Sequence, residues 1–208
     1  MKMNLGIIDY GFCNINSVVS ACKELTSELQ IINTPNNLMT FDKIILPGVG
    51  NFENAAEVLN KLGFSIAIKD YAAKGKHLLG ICLGMQLLLH ESEESQKNHT
   101  GLNVLDGKVR NLKGKLSSKQ PIPHMGWSEV IKKQESPILE SISDTSSFYF
   151  ANSYYCEVEK SNVVANFDYG GKSFPAIISN NKNIFGVQFH PEKSQTNGLK
   201  VINNFFKC

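Results

Sequence analysis

The feature that most constrains this chain is the alternation, through its first half, of short apolar runs with stretches of helical period. Leu5–Ile8, Gln30–Asn33, Lys43–Leu46 and His77–Ile81 have the length and composition of buried strands. Between them, Ser17–Leu25 places Val18, Ala21, Cys22 and Leu25 at helical spacing, and Ala55–Leu62, Ile66–Ala73 and Leu83–His90 also predict helices. Strands alternating with helices imply βαβ units, and so an α/β fold with a doubly wound, mostly parallel sheet flanked by helices. The second half changes character. Lys108–Leu112, Trp127–Ile131, Ser147–Phe150, Tyr154–Val158, Val163–Phe167 and Pro175–Ser179 are strand-length, with turn signals such as Gly170-Gly171 between them. That pattern predicts an antiparallel β extension. Ile184–Phe189 adds a strand and Gly198–Phe206 a closing helix, while polar Ser92–Gly101 predicts a surface loop or a frayed helix end. Without repeats or a low-complexity linker, residues 1–208 are expected to form one domain.

Composition excludes several classes of function. A formal net charge of +2 with scattered lysines gives no nucleic-acid groove and no membrane-binding face. No apolar stretch nears the roughly 20 residues that span a bilayer, and the apolar run after MKMN is cut at once by Asp9, so no secretory signal is expected. Five cysteines at irregular spacing, with no Cys-x-x-Cys pair, predict reduced thiols in the cytoplasm and no structural zinc. Neither a metal nor another cofactor is expected. A Gly-x-x-x-x-Gly-Lys-Ser/Thr loop is absent, so any nucleotide-dependent chemistry belongs to another chain.

Chemistry concentrates in two segments. Gly80-Ile81-Cys82-Leu83-Gly84 lies where a buried strand meets a helix and has the form Gly-x-nucleophile-x-Gly. Such a turn holds the nucleophile on strained backbone, and side chains two residues away on either side would collide. It exposes the sulfur at the carboxyl edge of the sheet, aims a helix N-terminus at it, and offers the Leu83 N–H to an oxyanion. A buried structural cysteine is the competing reading. Cys13, Cys22, Cys156 and Cys208 lack this setting and are expected to be inert. In Phe189-His190-Pro191-Glu192 the proline favours extended backbone, which puts His190 and Glu192 on one side. A carboxylate could then orient the imidazole, as in a Cys-His-acid triad. His77, His90, His99 and His124 have no carboxylate so placed. Pro47-Gly48-Val49-Gly50 follows the third strand, and its backbone N–H groups could complete an oxyanion hole; an ordinary βα turn is the alternative.

Gly80–Gln86 and Phe189-His190-Pro191-Glu192-Lys193-Ser194 resemble the signature segments of class I (triad) glutamine amidotransferases. Ile8-Asp9-Tyr10-Gly11 with Asn14, Pro47–Gly50 and Pro123-His124-Met125-Gly126-Trp127 narrow the resemblance to the family of glutaminase subunits of imidazole glycerol phosphate synthase. The resemblance implies that Cys82 attacks the glutamine side-chain amide, His190 transfers the proton and Glu192 orients it. It further implies that Val49, Gly50, Leu83, Gln86, Glu94, Ser153 and Tyr154 hold glutamine. Ammonia would pass to a (β/α)8-barrel cyclase in a heterodimer, which makes imidazole glycerol phosphate and AICAR in histidine biosynthesis. Asn14, Pro123, His124, Met125, Gly126 and Trp127 would face that partner, with Trp127 either an interface anchor or a core residue. The Pro47–Gly50 peptides, freed by their glycines, could stay misoriented until the liganded partner docks.

Two positions depart from the family pattern. Cys13 stands where the subfamily usually has glycine, and Asn152 replaces a histidine in Phe150-Ala151-Asn152-Ser153-Tyr154. Neither touches the triad, but both leave the ammonia acceptor open. A paralogous glutaminase for amidino-sugar synthesis and a stand-alone γ-glutamyl hydrolase are the alternatives.

Overall fold

The computed structural model describes residues 4–26, 28–96 and 100–208; His99 lies outside them. In chain order the strands are β1 Leu5–Ile8, β2 Leu29–Ile32, β3 Lys43–Gly48, β4 His77–Cys82, β5 Glu91–Ser92, β6 Lys108–Asn111, β7 His124–Lys132, β8 Ser147–Asn152, β9 Tyr154–Glu157, β10 Val163–Tyr169, β11 Lys172–Ser179 and β12 Ile184–Val187. The helices are α1 Ile15–Lys23, α2 Phe52–Lys61, α3 Phe64–Ala73, α4 Leu83–Leu87 and α5 Gln195–Lys207. The main sheet runs β2-β1-β3-β4-β12-β11-β10-β7-β8, and β5-β6-β9 form a smaller one. Pairing is parallel from β2 through β12 and antiparallel from β12 through β8. Four of the six strands expected in the antiparallel extension thus continue the parallel sheet itself, while Lys108–Asn111 and Tyr154–Glu157 pair in the smaller sheet.

Alternation along the central strands feeds two cores. Ile45 and Leu79 face one way, into a cluster with Val18 and Cys22 of α1 and Val201, Ile202 and Phe205 of α5. Ile44, Leu46 and Leu78 face the other way, onto Phe52 and Leu59 of α2 and Phe64, Ile68 and Tyr71 of α3. Both faces of the parallel half are covered, which is why its strands read as continuous apolar runs. No helix among the described residues is long and apolar enough to cross a membrane.

The helix expected over Leu83–His90 is corrected by the structure, which ends α4 at Leu87. Its last carbonyls turn to a neighbouring loop. Leu102 donates to Leu87 O (2.7 Å), Val104 to Leu88 O (2.9 Å) and Gly101 to His90 O (2.8 Å). These amides satisfy the carbonyls that a longer helix would have used internally. Directly afterwards, Glu91–Ser92 pairs with Lys108–Val109, at the edge of the segment Ser92–Gly101 expected to be loop. The strand expected from Trp127 begins at His124, where β8 supplies partners for the earlier residues as well.

Candidate active site

Cys82 ends β4 with φ 54° and ψ −109°, backbone that L-residues rarely adopt. The flanking glycines make this turn possible by their lack of bulk. A Cβ on Gly80 would lie 2.6 Å from Gly84 O, and one on Gly84 would lie 1.8 Å from Leu46 O. Leu83 opens α4, so its N–H has no intrahelical acceptor. At five residues, α4 is too short for the dipole expected to favour the thiolate to amount to much.

Register brings His190 to the sulfur from far along the chain. β12 lies beside β4 with Gly186 opposite Gly80 and Val187 opposite Ile81. Continuing past Val187 therefore carries Gln188, Phe189 and His190 alongside Cys82. The ring of His190 lines the same cleft as Cys82, and its Nδ1 lies 2.8 Å from Glu192 Oε1. Side-chain exposures of 5% and 3% keep water from weakening that pair. Backbone ties hold the segment: His190 N–H bonds Tyr149 O (2.9 Å), and Ser194 Oγ links Tyr149 N to His190 O. Burial alone would disfavour the imidazolium. The hydrogen bonds and negative charge of Cys82 and Glu192 outweigh it and raise the His190 pKa to about 10. A ring that keeps its proton is suited to hand it to a leaving amine. Glu192→Gln should leave the fold intact but lower glutamine hydrolysis about 10²- to 10⁴-fold, because an amide can stabilise neither the charge nor the tautomer. Steady-state assays and thermal unfolding of the same variant check this.

Cys82 and His190 open on a cleft of about 350 Å³ whose walls include Val49, Gly50, Leu83, Gln86, Glu94, Ser153 and Tyr154. All seven residues expected to hold glutamine meet there, although they come from four separated parts of the chain. Pro123, Ala151, Asn152 and Lys193 also line it; of these, Ala151 and Lys193 carried no sequence expectation. Glu94 Oε2 accepts the Phe52 N–H at the start of α2 (2.7 Å), which anchors the carboxylate. Tyr154 O accepts from Asn152 Nδ2 (2.9 Å) and Gln86 Nε2 (3.5 Å). Val49 N–H is committed to Phe12 O at 2.7 Å, so in this conformation it cannot donate to an oxyanion at Cys82. Gly50, at φ +99°, has the backbone freedom that reorienting this segment requires.

The residues expected at a partner surface divide. Asn14 and Pro123 are exposed, and Met125 and Trp127 remain 65% and 49% exposed. Trp127 is therefore not a core tryptophan. Its ring stands T-shaped to that of Tyr149, at 6.0 Å between centroids. His124 is a correction: it points inward, 4% exposed, against Phe150, Phe167 and Tyr169. Strand alternation causes this, because its neighbours of opposite parity face out. Gly126 is half-buried between the two exposed side chains.

All five cysteines are free. Among the described residues no group of three or more His, Cys, Asp or Glu could hold a metal ion.

A sulfur, imidazole and carboxylate so arranged at a strand-helix elbow meet the geometric needs of thiol-dependent acyl transfer. The model of the family "Glutamine amidotransferase class-I" matches residues 6–208, and the chain belongs to that family. Within it, the chain is 46% identical over 200 residues to the imidazole glycerol phosphate synthase subunit HisH of Chlorobium chlorochromatii, covering 96% of this chain and 97% of that one. It is 40% identical over 199 residues to the subunit of that name from Methanosarcina acetivorans, covering 96% of each chain. Among solved structures, a glutamine amidotransferase superposes with a TM-score of 0.75 at 16% identity, covering 98% of this chain and 97% of that one. PurLQS from Thermotoga maritima gives 0.75 at 19% identity, covering 100% and 99%. These two likenesses concern the fold.

Proposed function

We propose that this chain, as one domain over residues 1–208, hydrolyses glutamine and passes the ammonia to a cyclase subunit of imidazole glycerol phosphate synthase. The observation that carries the reading is the meeting of Cys82, His190 and Glu192 at a cleft also walled by Gln86, Glu94 and Tyr154. The Cys82 thiolate attacks the amide carbon, and the new oxyanion takes the Leu83 N–H. His190 protonates the departing nitrogen, and ammonia leaves a γ-glutamyl thioester. Water, deprotonated by His190, attacks the thioester; glutamate leaves and the thiolate returns. Glu94 pairs the substrate ammonium with the oxygen that does not cap α2, while Gly50, Gln86, Ser153 and Tyr154 enclose the rest. Acid quenching during turnover should trap the γ-glutamyl group on the peptide containing Cys82, read by mass spectrometry. Its appearance on another residue, or on none, rejects the assignment.

Ammonia is consumed by a (β/α)8-barrel cyclase in a heterodimer, yielding imidazole glycerol phosphate and AICAR. The names of the relatives support this acceptor over an amidino sugar or plain hydrolysis. Docking uses the face carrying Asn14, Pro123, Met125 and Trp127, with Gly126 between the anchors and His124 bracing them from beneath. Trp127→Ala should weaken the complex about 30-fold, corresponding to roughly 2 kcal/mol for an aromatic anchor, without loss of fold. Titration calorimetry measures it. Docking also turns the Gly48–Val49 peptide so that the Val49 N–H leaves Phe12 O and joins Leu83 in the oxyanion hole. Hydrogen exchange at Val49 should rise on binding the liganded partner; equal protection with and without it counts against the turn.

A further inference from the structure

We infer that Gln188 is a second hydrogen-bond donor to the reacting sulfur, held in the donating orientation by Gln86. The inference rests on Cys82 being the nucleophile. Gln188 is wholly buried between Val187 and Phe189, which are equally buried. An amide in such surroundings costs free energy unless its polar atoms are engaged, and a methionine or leucine would fill the space without that cost. Its side chain is engaged at both ends. Oε1 accepts from Gln86 Nε2 at 3.2 Å, and Nε2 donates to Cys82 Sγ at 3.8 Å.

The network decides which end of the amide faces the sulfur. Gln86 Nε2 also approaches the Tyr154 carbonyl at 3.5 Å, so the amino end of Gln86 must point toward acceptors. Reversing Gln188 would set two amino groups against each other. With Oε1 therefore turned to Gln86, the Gln188 N–H faces the sulfur. The backbone fixes the position too, because Gln188 N–H bonds Ala176 O at 2.8 Å and continues the β11–β12 ladder.

Gln188 and His190 are two residues apart just beyond the end of β12, and both stand beside Cys82. They act differently. His190 must shed and regain a proton during each turnover, whereas the amide N–H is always present. It stabilises the thiolate before attack, and again when the second tetrahedral intermediate collapses and expels the sulfur as water completes glutamate.

The test compares Gln188→Met, which keeps length and removes the donor, with Gln188→Glu, which keeps shape and presents an acceptor. Alkylation of Cys82 by iodoacetamide as a function of pH reports the thiolate without requiring substrate. The midpoint should rise by about one pH unit in the methionine variant, further in the glutamate variant, with kcat in the partner complex reduced about tenfold. In the unaltered chain, the assigned Gln188 side-chain amide proton resonances should titrate with the alkylation midpoint, and that step should vanish in Cys82→Ala. Parent-like alkylation profiles in folded variants overturn the inference. If neither variant folds, amide resonances indifferent to ionisation of the sulfur overturn it instead. Failure of the underlying nucleophile assignment looks different: glutaminase activity would survive Cys82→Ala.

Discussion

Cys82→Ala should reduce glutamine hydrolysis by about 10⁴-fold or more while leaving the protein folded, since loss of a triad nucleophile removes the covalent route altogether. No other thiol can stand in. Burial, with Asp9 nearby, pushes Cys13 up to about 12, and burial with the charge of Glu192 pushes Cys22 up to about 12. Cys156 is raised further by complete burial, and Cys208 is raised by partial burial. All four are protonated at neutral pH and therefore poor nucleophiles. The substitution deletes one sulfur from a packed site, so the stability cost should be about 1 kcal/mol. Glutamate release in the partner complex, with urea unfolding of the same preparation, measures both. A folded variant with near-parent activity would falsify the mechanism.

The largest effect on stability should come from Gly84→Ala. A methyl there would sit 1.8 Å from the Leu46 carbonyl oxygen and 2.9 Å from its carbon, both in the backbone of β3. No rotamer relieves a clash between a Cβ and main chain, so the elbow and β3 must part. The expected loss is about 3 kcal/mol or more, above the usual range for overpacking because the neighbour cannot swing aside. Activity should fall as well, since β3 runs on into Val49 and the elbow carries Cys82. Gly114→Ala is the control: nothing lies within 4 Å of its added methyl, and both its urea midpoint and its activity should match the parent. Equal midpoints for the two variants would refute the packing argument.

Most of the site could be read from the sequence because its chemistry is local. The elbow needs small residues two places on either side of Cys82, and His190 and Glu192 stand two apart; both are written in consecutive residues, although the pair meets through a 3₁₀ turn at Pro191–Lys193 and not through the extended chain expected. Gln188 escaped notice even though it sits in the same segment, since a glutamine in an apolar strand carries no motif. Its role appears only when Gln86 and Cys82 stand beside it. The orientation of Val49, the inward turn of His124 and the early end of α4 escaped for a related reason. Each depends on a partner supplied by a distant segment: Phe12 O, the rings of Phe150 and Phe167, and the amides of Gly101–Val104.

From its residues alone, this chain determined the strand-helix alternation, the strained turn at Cys82 and the closeness of His190 to Glu192, because period, bulk and spacing along the backbone are properties of neighbours. Only the tertiary structure decided that β12 lies beside β4 in the register that delivers His190 to Cys82. It alone decided, too, which amide and carboxylate orientations complete the cleft. Those outcomes are set by hydrogen bonds between segments far apart in sequence, where the cost of an unsatisfied buried group, and not local preference, selects the arrangement.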